Sequence, residues 1–141
     1  MNVVLGTHWT LRVPGGVQSH LRSLVRALEE HGFGYALVHP SDRYQRPWWK
    51  AYSAVRCLGD TDRGRLDLCR RRMADARRTL QRVLGRGTFH LIHAHDVLFL
   101  RAALEALRAG PHADLPKVLT VHGPLWHEVR MLMGDRSPRF A

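Results

Sequence analysis

Asn2-Val3-Val4-Leu5-Gly6-Thr7-His8 opens the chain. Pro14-Gly15-Gly16-Val17 follows a short loop, and Gln18-Ser19-His20-Leu21-Arg22-Ser23-Leu24-Val25-Arg26-Ala27-Leu28 comes next. The first stretch reads as a short apolar strand and the second as a glycine hinge. The third reads as an amphipathic helix, with Val17, Leu21, Leu24, Val25 and Leu28 on one stripe. Backbone amides at such a helix start lack intrahelical partners and, with the helix dipole, form an anion site. Glycine lets a phosphate come close to the backbone. A Gly-Gly pair is equally an ordinary turn, so the reading leans on two later segments.

Phe89-His90-Leu91-Ile92-His93-Ala94-His95-Asp96 is an apolar and histidine-rich strand ending in an acid. Lys117-Val118-Leu119-Thr120-Val121-His122-Gly123-Pro124 is another strand, ending in His-Gly-Pro. Ligands of parallel α/β sheets bind outside the carboxyl ends of the strands, and all three unusual segments lie at such ends.

The rest of the chain keeps alternating. Gly32 is a left-handed cap for the first helix, and Gly34 to His39 is a strand stopped by Pro40. Ser41 to Ala54 reads as loop and Val55 to Leu58 as a short strand. Arg65 to Leu84 is one long helix with Leu66, Cys69, Met73, Ala76, Leu80, Val83 and Leu84 on its apolar side. A helix from Val97 to Ala109 ends at Gly110-Pro111, and a further helix is expected around Trp126 to Met133. The expected fold is α/β, an open and mostly parallel sheet with helices on both faces.

The length suits one domain with a real core. Lys and Arg number 22 against 12 acids, a net charge of +10. That field favours anionic partners without choosing among phosphate ligands, acidic lipid and nucleic acid. No apolar run is long enough to cross a membrane, and no secretory signal is visible. Cys57 and Cys69 make neither a disulfide framework nor a zinc motif, so a reducing cytoplasm is expected. The first loop lacks the Gly-x-Gly-x-x-Gly dinucleotide pattern, and no phosphate-binding Gly-x4-Gly-Lys loop occurs.

Pro-Gly-Gly-Val before the first helix, His-Ala-His-Asp at a middle strand and Leu-Thr-Val-His-Gly-Pro two elements later resemble the N-terminal domain of GT-B fold glycosyltransferases. The nearest group is the large retaining one called family 4, and the likeness runs from Met1 to about Met133. The resemblance implies a Rossmann-like half of a two-domain enzyme that moves a sugar from a nucleotide-sugar donor to a sugar or lipid-linked acceptor. It implies that Gly15 and Gly16 approach the donor diphosphate and that His122 stands beside the transferring sugar. His95 and Asp96 then lie on the acceptor side of the cleft. No metal or other cofactor is implied, because amides and basic residues stabilise the leaving group. The Glu-x7-Glu motif and the donor domain of such enzymes are absent from these 141 residues. Residues 1–141 are therefore expected to be a single, incomplete acceptor-side domain, inactive alone.

Other readings stand beside this one. His8, His93, His95, His122 and His127 could gather into a metal cluster at the strand ends. The expectation is instead no metal, with each histidine held by hydrogen bonds, because carboxylate and cysteine ligands are missing. The Arg-rich helix from Arg63 to Arg86 is an ordinary surface helix or a face for anionic membrane, with Trp48 and Trp49 as interfacial anchor or as cover for the sheet edge. Net charge alone supports non-specific nucleic-acid binding, yet no recognition motif is present. An incomplete sheet exposes an edge, so a homodimer or swapped dimer is expected. A non-catalytic binding or assembly module is the alternative function.

Overall fold

The computed structural model describes residues 1–12, 15–41, 46–56, 61–108 and 110–123. Its elements run β1 (Asn2–Gly6), α1 (Gly16–Glu30), β2 (Gly34–Val38), α2 (Pro47–Arg56), α3 (Thr61–Leu84), β3 (Leu91–Ala94), α4 (Val97–Leu107) and β4 (Lys117–Leu119). The four strands form one parallel sheet in the order β2-β1-β3-β4. The sequence-based expectation of an open parallel α/β sheet is met.

Alternation along β1 assigns the two faces. Val4 packs with Val38, Ile92 and Ala94 against α3 and α4, where Ala76, Leu80, Leu84, Phe99, Ala103 and Leu107 complete a core. Val3 and Leu5 point the other way and meet Leu21, Leu24, Val25 and Leu28 of α1. Successive strand side chains face opposite sides, so a strand apolar at every position needs a helix on each side, and the chain supplies both. Gly6 is the last residue of β1, and the Phe99 ring fills the space that a Cβ there would take. Gly32 closes α1 with φ of 69°, the left-handed conformation that glycine adopts without strain.

Two expectations are corrected. Residues 47–56 form a helix where a loop and the start of a short strand were read. Pro47 occupies the first helical position, where its missing N–H costs nothing. Val55 and Arg56 finish this helix, while Cys57 and Leu58 lie outside the described residues, as does the helix expected at residues 126–133. The long helix also begins earlier than expected, at Thr61.

From β1 the chain goes to β2 on one side, then returns through β3 on the other. The order of winding thus reverses between β1 and β3, and the carboxyl ends of these two strands flank the crevice where such sheets bind ligands. Among the described residues, β4 is an edge strand, and Val118 and Leu119 on it are exposed.

Candidate functional site

Asp96 is the hub of that crevice. It follows β3, caps α4 by accepting the Phe99 N–H at 2.6 Å on Oδ1, and is wholly buried. Its Oδ2 accepts the Thr7 hydroxyl and the His8 backbone N–H, both at 2.8 Å. Nδ1 of His8 stands 2.9 Å from Oδ1, a close contact off the hydrogen-bond line. Burial alone would raise this carboxyl, but the His8 ring and the N–H groups of Phe99 and His8 outweigh it and hold it below the ordinary 3.8. The acid beyond β3 thereby fastens the loop beyond β1.

Backbone bonds extend the same stitching past the strands. His95 N–H donates to the Gly6 carbonyl and Thr120 N–H to the Ala94 carbonyl, each at 2.8 Å. These bonds set His95 and His122 side by side. His95 Nδ1 lies 3.3 Å from His122 Nε2, with the rings stacked at 5.6 Å. His93, two residues before His95 on the same face, stacks on it at 4.2 Å and hydrogen-bonds Thr120 Oγ1 through Nε2 at 2.7 Å. His20 approaches from the first turns of α1, its ring 5.3 Å from that of His95 and 4.8 Å from that of His122.

The pile of four imidazoles disfavours charge. Burial first, then His93, His20 and His122, push His95 down from 6.5 to about 3, against the opposing pull of Asp96. Burial, His20 and His122 also lower His93. Both rings therefore favour the neutral form. Nε2 of His95 and Nε2 of His8 have no hydrogen-bond partner among the described residues, although both side chains are buried. Leaving such an atom unpaired costs about 1–3 kcal/mol, which a bound group can offset.

The glycine hinge borders this cluster through α1, which also carries His20. Gly15 precedes the helix in extended conformation and Gly16 begins it. A Cβ on Gly15 would press on the Gln18 side chain, whereas one on Gly16 would meet nothing. Gln18 Nε2 in turn donates to the Thr10 carbonyl at 3.0 Å, fixing the loop that leads from β1 towards the hinge. No packing demand inside the described residues explains the glycine at 16, and the first amides of α1 lack intrahelical partners there.

Of the residues read as site candidates, His95 and His122 come together, Asp96 follows His95 but turns its oxygens to Thr7, His8 and Phe99, and Gly15 and Gly16 head the neighbouring helix. His8, which the rival metal-cluster reading grouped with the other histidines, turns to Asp96, and His127 lies outside the described residues. His20, Thr7 and Thr120 were not singled out by sequence. His20 carries one usable signal, its place one turn after Gly16 on a helix aimed at the strand ends.

Among the described residues, no helix is long and apolar enough to cross a membrane. No curated protein and no solved structure matches the chain. A family model does: the one described as Glycosyltransferase Family 4 matches residues 14–140, nearly the whole length, and the chain belongs to that family.

Proposed function

We propose that this chain is the acceptor-side half of a glycosyltransferase that moves a sugar from a nucleotide-sugar donor to an acceptor. The observation that carries the reading is the meeting of a glycine-led helix start with His95 and His122 at the point where the sheet reverses its winding. The helix start led by Gly15 and Gly16, whose first amides have no intrahelical partner, suits the donor diphosphate, whose charge grows as the glycosidic bond breaks. Fixed dipoles need no reorganisation at that moment. His122 stands beside the sugar being transferred, and His95 lines the acceptor side. Asp96 acts as a positioning residue, since its oxygens already hold Thr7, His8 and Phe99.

In this reading a second, donor-gripping domain completes the enzyme. Reading the gene past the Ala141 codon tests that part: a frame continuing to a Glu-x7-Glu segment supports it, and a stop codon overturns it. Turnover of a nucleotide sugar by residues 1–141 alone would also overturn it. For the site itself, Gly16→Ala in the enzyme that contains this chain is expected to fold normally and lose transfer activity. Full activity in that variant would remove the diphosphate role.

One observation favours a second property, peripheral binding to anionic membrane. Trp48, Tyr52 and Val55 of α2 are all exposed and fall at helical spacing on one face. Such a stripe beside the arginines of α3 suits an acidic lipid surface and a lipid-linked acceptor.

A further inference from the structure

We propose that the groove between α3 and α4 binds a phosphate ester through the guanidinium groups of Arg70, Arg77 and Arg101. Three arginines and one acid, Glu105, line this groove, so its charge is positive. Arg70 and Arg77 are two turns apart on one side of α3, and Arg101 faces them from α4. Glu105 shows how the cations are aimed. Its Oε1 accepts the Arg101 Nε–H at 3.0 Å, and its Oε2 lies 3.8 Å from Nη1 of Arg77. One carboxylate thus stands between guanidinium groups of two helices. A phosphate carries more oxygens and more charge, and suits the same fork better. Surface ion pairs hold their partners by about 1 kcal/mol or less, so the half-exposed Glu105 can swing aside. Arg70 is exposed and makes no ion pair among the described residues.

The rest of the lining adds shape without negative charge. Cys69 is buried, and burial pushes its thiol up to about 11, so it stays neutral beside an anion. Met73 and Ala74 are the other lining residues. The volume, about 240 Å³, lies below the roughly 300–1,000 Å³ of pockets for drug-sized ligands. That size selects a phosphate with a small organic group over a whole nucleotide sugar. None of these residues takes part in the proposed sugar transfer. Arg71, next to Arg70 on α3, lies over the Trp49 and Tyr52 rings of α2. The exposed face of α2 therefore adjoins the Arg70 end of the groove. A lipid headgroup is one source of the phosphate and a free metabolite the other. The lipid source rests on the membrane reading above, and the free one does not.

The test has a soluble arm and a lipid arm, both at physiological salt. Glycerol 3-phosphate is titrated into the chain while its NMR signals are followed. Vesicles containing phosphatidic acid are compared with neutral phosphatidylcholine by co-sedimentation. Saturable shifts at Cys69, Met73 and Ala74 are expected with the soluble ester, and sedimentation with phosphatidic acid alone. Arg70→Gln with Arg101→Gln is expected to weaken binding by roughly tenfold or more, the scale of one charged hydrogen bond. Arg82→Gln with Arg86→Gln removes the same charge from exposed positions outside the groove, and is expected to bind as the unaltered chain does. Glu105→Gln is expected to tighten binding because it releases Arg77 and Arg101. Glu30→Gln on α1 makes the same charge change and is expected to have no effect. Soluble binding without vesicle binding supports the groove and removes only its lipid source. No saturable binding of either probe, or equal loss in the two arginine double variants, would overturn the proposal.

Discussion

Asp96 holds His8 by two contacts at once: its Oδ2 accepts the His8 backbone N–H at 2.8 Å, and its Oδ1 lies 2.9 Å from the His8 ring. The two residues follow the carboxyl ends of adjacent parallel strands, so the contacts clasp the mouth of the crevice. A buried carboxylate is costly unless its oxygens are fully used, and here Thr7, His8 and Phe99 use them.

Asp96→Ala removes the α4 cap and leaves the Thr7 and His8 donors unpaired. The expected loss is about 3–5 kcal/mol, as for breaking other buried charged networks. Asp96→Asn keeps the shape and one acceptor oxygen, and should cost less. Urea unfolding checks both. A loss under about 1 kcal/mol for Asp96→Ala would fit an ordinary helix cap and no more.

Acid should loosen the same region before it reaches the carboxylates. A histidine whose folded value is depressed binds fewer protons than the unfolded chain, so its contribution to stability is complete above the unfolded value. For His95 that contribution is lost as pH falls from 6.5 towards about 3. The Asp96 contribution is present above 3.8 and disappears only as pH drops below it. Urea midpoints measured in chelator between pH 7.5 and 4 should therefore fall with pH, and His95→Gln should flatten the slope. An unchanged slope in that variant would mean that His95 is not the group responsible.

Much of this was legible before the structure. β1, α1, β2 and α4 announce themselves by continuous apolar strands, helical stripes and glycine or proline stops, and the reading of strand ends pointed to His95 and His122, which lie side by side. α2 was missed because Pro47, Trp48, Trp49 and Tyr52 are poor or neutral helix formers, and its apolar stripe faces away from the core. His20 was missed because which side of α1 faces the strand ends depends on how that helix packs on the sheet. The clasp of His8 by Asp96 joins residues 88 apart in sequence, and no local pattern signals such a pair.

Gly6 offers a cleaner test of packing. The Phe99 ring occupies the volume of any Cβ at this position, and Phe99 is itself fully buried. Gly6→Ala should therefore destabilise by about 3 kcal/mol, the upper range for overpacking. Phe99→Leu alone leaves a cavity. Combined with Gly6→Ala it provides the room the methyl needs, so the double variant should lose less than the two single losses summed. Strict additivity in urea unfolding would show that the two positions do not share that space.

The α2 stripe gives the last prediction. Trp48, Tyr52 and Val55 are 54%, 45% and 76% exposed, a face that burial in the protein does not explain. Arg71 of α3, paired with Asp67 at 2.7 Å, lies over the Trp49 and Tyr52 rings at 5.5 and 5.9 Å, and the chain as a whole carries a net charge of +10. Aromatic side chains favour the interfacial layer, and each cation near an acidic surface adds roughly 1 kcal/mol. Co-sedimentation at low salt should show binding to phosphatidylglycerol-containing vesicles and none to neutral phosphatidylcholine. Trp48→Ser with Tyr52→Ser should weaken it while leaving the core intact, because both residues are exposed and their rings pack against Trp49 and Arg71 at the surface. Binding that survives this double variant but vanishes in salt would assign the attraction to net charge alone, and would leave the stripe without a membrane role.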